Sequence, residues 1–156
     1  MAGFLGSYLH QLDPKGRVSL PAPYRRGREG ESFVLIQTQP DSLSLYPDEA
    51  WGEVQAKLRE MSERRPELRN QVLSVTAKAV EVIPDKQGRI LISEKIRKIV
   101  SLEAEVLMVG AINHIEIWDP QRFEESRRQP LLTQKAGQTG GEGRSPHPFT
   151  RRSYEK

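Results

Sequence analysis

Cysteine is absent from the 156 residues, which excludes a disulfide framework and any thiol-based metal or redox chemistry. No apolar run is long enough to span a bilayer. The N-terminus also lacks the basic region and apolar stretch of an export signal, so a cytoplasmic protein is expected. Histidine is scarce: His10, His114 and His147 are the only three, none has neighbours at metal-ligand spacing, and no metal site is expected. No Ser-His-Asp or Cys-His set is suggested. Asp13 and Asp85 do not read as a catalytic carboxylate pair, because each sits in a basic turn rather than beside another acid. The chain is therefore read as a non-enzyme with no cofactor and no small-molecule substrate. Its length suits one compact core, or two small lobes sharing one.

What the chain does have is a repeated motif. Asp-x-x-Gly-Arg occurs as Asp13-Pro14-Lys15-Gly16-Arg17 and again as Asp85-Lys86-Gln87-Gly88-Arg89. A shift of 72 residues superposes the two copies and, without a gap, sets Val18-Ser19-Leu20 on Ile90-Leu91-Ile92, Arg25 on Arg97, Val34-Leu35 on Val106-Leu107, and Tyr46 on Trp118. The composition predicts only about 0.04 copies of the motif by chance, so two copies in register indicate an internal duplication.

Net charge is +3, but its distribution is uneven. Residues 133–156 hold five Lys or Arg against two Glu, which leaves the rest formally neutral. Within that body, residues 13–28 carry five basic groups against one acid, and residues 85–98 five against two. Two matched basic segments in a neutral body suggest a polyanionic partner.

Patterning predicts the same order in each repeat: strand, strand, short helix, strand, strand. Residues 7–12 and 18–20 read as a β-hairpin, with Gly16 supplying the positive φ of the turn and Asp13 accepting backbone N–H bonds across it. Pro21 and Pro23 mark a helix start that Gly27 and Gly30 cut short. In the second repeat Ser93 is a candidate N-cap for the helix that follows. Strands are expected over 33–38, 43–46, 106–109 and 115–118. Between the repeats, residues 48–65 form a helix with Asp48 as cap and Trp51, Val54, Leu58 and Met61 as a core stripe; a second short helix spans about 67–74, before a strand over 78–84. A further short helix is expected around 122–128. The tail from Pro130 is Gly-, Ser- and Pro-rich and reads as disordered. Its glycines neither follow a strand nor precede Lys-Ser/Thr, so no phosphate loop is assigned. The resulting division is 3–65 for the first repeat with its helix, 66–76 for a linker helix, 77–128 for the second repeat and 129–156 for the basic tail.

Several segments together carry a family resemblance: Gly6 to Leu12 leading into Asp13-Pro14-Lys15-Gly16-Arg17, then Pro21 and Arg25, Leu45-Tyr46-Pro47, Asp85 to Leu91, and Asn113 to Trp118. Over residues 3–127 the chain resembles the MraZ family of bacterial regulators, built from two SpoVT-AbrB type repeats. The resemblance implies a mainly β fold with short helices (α+β), in which two swapped-hairpin, AbrB-like repeats interlock as a β-barrel pseudo-dimer and chains assemble into a homo-oligomeric ring. It also implies a nucleoid-associated regulator, commonly a repressor, that binds double-stranded DNA at direct repeats upstream of the division and cell-wall gene cluster.

In the family the Arg of each motif faces DNA, which assigns Arg17 and Arg89 here, with Lys15 alongside Arg17. Gln87 stands in the place of Lys15, and Lys86 brings its charge one position earlier. Arginine suits the task because its planar fork bonds bidentately to phosphate or to guanine O6 and N7. The alternative is that Asp13 and Arg17 merely bridge across their own turn. Asp13, Gly16, Asp85 and Gly88 are assigned as turn-formers. Arg25, Arg26 and Arg28 are read either as a solvated face or as phosphate-tracking contacts, with Arg25 placed among the DNA-binding residues, and the first motif is expected to be the stronger half. Arg144, Arg151 and Arg152 of the tail either add nonspecific attraction or belong to a solubilising extension. A second reading of the whole is a non-enzymatic assembly or protein-interaction module with only generic DNA affinity.

Overall fold

A computed structural model describes residues 3–127; the tail, with His147 and the tail arginines, lies outside them. The first repeat runs β1 (Ser7–Gln11), β2 (Arg17–Ser19), α1 (Ala22–Arg25), β3 (Phe33–Gln39) and β4 (Ser42–Pro47). The second runs β5 (Val80–Val82), β6 (Arg89–Leu91), α4 (Glu94–Ile99), β7 (Glu105–Gly110) and β8 (Ile115–Trp118), followed by α5 (Pro120–Ser126). Between them lie α2 (Asp48–Arg64), one 3-10 turn over Pro66–Leu68, and α3 (Arg69–Thr76). The class is α+β, mainly β, with the expected element order in both repeats.

The strands over 33–38 and 43–46 and those over 106–109 and 115–118 pair as local hairpins, β3 with β4 and β7 with β8, whereas the hairpin expected around each motif turn does not form. β1 does not pair with β2; it pairs antiparallel with β7, while β2 pairs with β6. The Asp13–Arg17 turn closes tightly, with Asp13 N–H on Arg17 O at 2.9 Å and Gly16 N–H on Asp13 O at 2.9 Å. Immediately beyond it the arms diverge, Leu12 N–H going to Ala104 O and Leu20 N–H to Gly88 O. Apolar faces decide this. Val18, Leu20, Ile90 and Ile92 are each 2% exposed or less, and the β2–β6 ribbon buries them against the six-stranded sheet β1-β7-β8-β4-β3-β5. The expected barrel is not closed by hydrogen bonds among the described residues: the ribbon covers the sheet instead of joining its two edges.

Two pairings join a residue to its own counterpart in the other repeat, as across a twofold axis: Val18 with Ile90 in the ribbon, and Ser44 with Glu116 in the sheet. The buried Glu116 carboxylate there accepts from Trp118 Nε1 at 3.0 Å and Ser42 Oγ at 3.4 Å, and lies 3.1 Å from His114 Nε2. His114 stacks on Tyr46, 4.6 Å between ring centres. Burial first, and then the nearby Glu116 charge, push the Tyr46 hydroxyl up to about 12.

The gapless alignment fails in one place. Leu107 pairs with Leu9 and Trp118, so a strict 72-residue shift would pair Leu35 with Glu81 and Tyr46. Leu35 pairs instead with Val80 and Leu45. Residues 33–36 have thus moved on by one place, and an irregularity between Ile36 and Gln39 restores the register at Gln39–Ser42. A one-residue slip turns a strand's other face inward. The slip lets Phe33 and Leu35 enter the core where Val106 and Met108 do in the second repeat, all four at 1% exposure or less.

On the far face of the sheet Ile36 and Tyr46 meet Ala50, Val54 and Leu58 of α2 and Val72 of α3, with Trp51 and Met61 partly buried beside them. Asp48 is not the helix cap. Pro47 holds that position, and Asp48 Oδ1 accepts from Ser32 Oγ at 3.3 Å. α5 begins before the expected 122: Asp119 caps it by accepting from Arg122 N–H, and Pro120 occupies the first turn, where a missing N–H is harmless.

Candidate nucleic-acid interface

The two motif turns share one geometry. Asp13 Oδ1 accepts the Lys15 and Arg17 N–H groups, each at 2.9 Å, and Oδ2 accepts Arg17 Nε at 2.7 Å. Asp85 does the same with Gln87 N–H, Arg89 N–H and Arg89 Nε, all at 2.9 Å. Gly16 and Gly88 sit at φ +89° and +79°, where a side chain is strained. The Arg17 backbone N–H holds the Asp13 carboxyl below its ordinary value; the Arg17 side chain and the Lys15 N–H add to this, and desolvation opposes it. Arg89 and Gln87 act likewise on Asp85.

Each motif arginine therefore does bridge its own turn, but only through Nε. Among the described residues neither terminal amino group of Arg17 or Arg89 makes a hydrogen bond. The Asp fixes the stem and leaves the end of the guanidinium available. The side chains are 35% and 30% exposed, so the ion pair is screened and contributes little stability of its own.

The ribbon register brings the two motifs together. Arg17 faces Leu91, Val18 faces Ile90, and Ser19 faces Arg89. Alternation sends Val18 and Ile90 into the core and Arg17, Ser19, Arg89 and Leu91 to the opposite, outer face. Arg17 and Arg89 are diagonal neighbours there, about 7–8 Å apart at the backbone. Each repeat thus gives one arginine to a single basic face. Lys15 and Lys86 are exposed within the turns.

Arg25 packs against the turn of the other repeat. Its Nε donates to Leu20 O at 2.9 Å, and its side chain covers Gly88, where an added Cβ would stand 2.5 Å from Nε. Arg97 repeats this, donating to Ile92 O at 2.9 Å and covering Gly16. Each is a clamp set by one repeat on the turn of the other, and reciprocal bonds from Leu20 N–H to Gly88 O and from Ile92 N–H to Gly16 O complete the seam. Arg97 was not singled out from sequence, although the 72-residue shift places it on Arg25. Arg28 turns inward, 3.0 Å from Glu49, 3.4 Å from Glu31 and 4.9 Å over the Phe4 ring, so it is not part of a solvated face. Arg26 is exposed.

Among the described residues no three His, Cys, Asp or Glu side chains group to hold a metal ion. No described helix is long and apolar enough to cross a membrane.

A family model described as "MraZ protein, putative antitoxin-like" matches residues 4–73 and 75–136. The chain is similar to the transcriptional regulator MraZ of Acetivibrio thermocellus, 39% identical over 121 residues that cover 78% of this chain and 84% of that protein. It is also similar to proteins of the same name from Moorella thermoacetica, 36% identical over 81% of this chain and 87% of the relative, and from Mycolicibacterium smegmatis, 34% identical over 78% and 85%.

Proposed function

The chain belongs to the MraZ family, and from that premise we propose that it is a sequence-specific, DNA-binding transcriptional regulator, not an enzyme, that reads double-stranded DNA with the outer face of the β2–β6 ribbon. The observation that carries this is the pair Arg17 and Arg89, side by side on one exposed ribbon with their terminal amino groups uncommitted. A two-stranded ribbon fits a major groove, and an arginine fork reads guanine there. Lys15 and Lys86 flank the ribbon as phosphate contacts, while Arg25 supports the face from behind.

The finer reading is a repressor acting on direct repeats upstream of the division and cell-wall gene cluster, in the cytoplasm and associated with the nucleoid. Its two repeats, residues 3–65 and 77–128 about the 66–76 linker, interlock as a swapped-hairpin pseudo-dimer with a barrel-like core. Support for the interlock comes from the cross-repeat pairings β1–β7, β2–β6, β4–β8 and β3–β5. Assembly into a ring is supported by the two sheet edges. β1 exposes Leu9, with Leu5 and Ile112 near it in the chain pairing, and β5 exposes Val80 and the following Ile83. Ile112 is β-branched yet held at φ 73°, a strained conformation that suits a contact residue. Two different apolar edges give a head-to-tail contact, which generates a ring where the rotation between neighbours closes. A ring holding successive operator repeats gains about 10²- to 10⁴-fold in avidity if subunit and repeat spacing match.

The test is a binding titration against a labelled fragment from upstream of the protein's own gene and a shuffled control, at near-physiological salt. The native fragment is expected to win, and Arg17→Ala and Arg89→Ala are each expected to cost about 1–3 kcal/mol per site with the oligomer intact. Equal, salt-sensitive binding of both DNAs would leave the interaction-module reading. Unchanged affinity in both variants would remove the ribbon from the account.

A further inference from the structure

The outer ribbon face is twofold in its charges but not in its other two side chains. Positions 17 and 89 are both arginine, whereas Ser19 in one repeat is matched by Leu91 in the other, and Leu91 is 56% exposed. This leucine stands opposite Arg17 on a face otherwise built of Arg, Ser and the flanking Lys residues. Its rung partner Arg17 is charged, and its strand neighbour Ile90 points the other way, into the core. Against a basic surface the complementary occupant is a polyanion, and the apolar group that double-stranded DNA offers in its major groove is the thymine C5-methyl.

Building on the regulator reading above, we propose that Leu91 is a specificity-determining residue: it packs on a thymine methyl beside the base read by Arg17, and it thereby gives each protomer a direction on DNA. A face with full twofold symmetry binds a site equally well in two orientations. Ser19 at one end and Leu91 at the other remove that equivalence, because the hydroxyl accepts a polar base edge and the leucine does not. Direct repeats need this, since every subunit must read its copy in the same sense, whereas inverted sites are what a symmetric face selects.

The experiment uses the full-length protein and the upstream fragment, made with thymine throughout and then with deoxyuridine in place of one thymine at a time, which removes the methyl and leaves pairing unchanged. Wild type is expected to lose about three- to fivefold in affinity at one thymine of the site, the effect of one buried methyl. Leu91→Ala should bind the thymine fragment that much more weakly and be indifferent to deoxyuridine. The inference is overturned if no deoxyuridine affects wild type, if Leu91→Ala keeps the wild-type deoxyuridine penalty, or if Leu91→Ala changes the oligomer and not the DNA preference. Failure of wild type to prefer the native over the shuffled fragment would instead remove the regulator reading itself.

Discussion

The two repeats solve one folding problem with different local means. α1 in the first repeat is four residues long with no side-chain cap, whereas α4 in the second is capped by Ser93 Oγ, which accepts from Ile96 N–H. β3 carries a register slip that β7 lacks. The outer sheet face of the first repeat is covered by α2 and α3, while Trp118 of the second repeat is covered by Phe123 of the short α5. The turns, the clamps and the reciprocal bonds between turn and strand end nonetheless agree to within 0.2 Å in their bond lengths. The backbone geometry of the seam, which carries the two motif arginines, is kept in both repeats, while side chains on it diverge at Ser19 and Leu91 and at Lys15 and Gln87.

The equivalence of the two halves can be broken at the glycines, with the largest effect on stability. Gly16→Ala and Gly88→Ala each force a side chain into positive φ, at about 1–2 kcal/mol; at Gly88 the new Cβ displaces the Arg25 clamp, whose bond contributes about 1 kcal/mol more, whereas at Gly16 it meets the Ile92 carbonyl at 2.7 Å before it reaches Arg97. Chemical denaturation should give losses of about 2–3 kcal/mol, the larger at Gly16, where backbone must shift; equal losses would show that the two turns yield alike. The clamps come next. Arg25→Ala and Arg97→Ala should each cost about 1–2 kcal/mol through a half-buried carbonyl left unpaired, and their double variant should cost close to the sum, because the two bonds are made at separate carbonyls. Ser93→Ala sharpens the contrast between helices: about 1 kcal/mol is expected, the value of an N-cap, with no counterpart in the first repeat because Pro21 offers no side-chain bond to lose.

The smallest effect lies in acid. Asp13 and Asp85 ionise below their ordinary value of 3.8 in the folded chain, so their contribution is present above that pH and is lost as pH falls through the lowered folded values. Replacing both by Asn should flatten the fall in Tm between about pH 4 and pH 2. A steeper fall in the double variant would show that the carboxylates oppose the turn.

Much of this was legible in the sequence. The motif spacing gave the turn chemistry, since Asp accepting from the N–H groups two and four residues on is a local property of Asp-x-x-Gly-Arg. Ser93 was legible as a cap, and the bounds of β8 were legible from its apolar run. The β3–β4 and β7–β8 hairpins were legible too, but the partners of β1 and β2 were not: a tight turn after Leu12 predicts a hairpin, and only the burial of Val18 and Ile90 against the distant sheet explains why β2 joins β6. Nor was the slip in β3, because Phe-Val-Leu-Ile offers apolar residues on both faces and either register looks acceptable until α2 claims Ile36. Arg25 and Arg28 read as surface charges for the same reason: composition registers a guanidinium, and only the fold shows that one clamps a glycine and the other sits between two glutamates over a ring.

The pairing of β1 with β7 has a consequence in time. Leu9 leaves the ribosome first and waits for Leu107, about 98 residues and, at bacterial elongation rates, about 5–20 s later. β4 waits similarly for β8, and β2 for β6. Neither repeat can complete its sheet while the chain is being made, so the first half spends its early life as an open, apolar-edged fragment and the whole protein forms in one late step after nearly all of it has been synthesised.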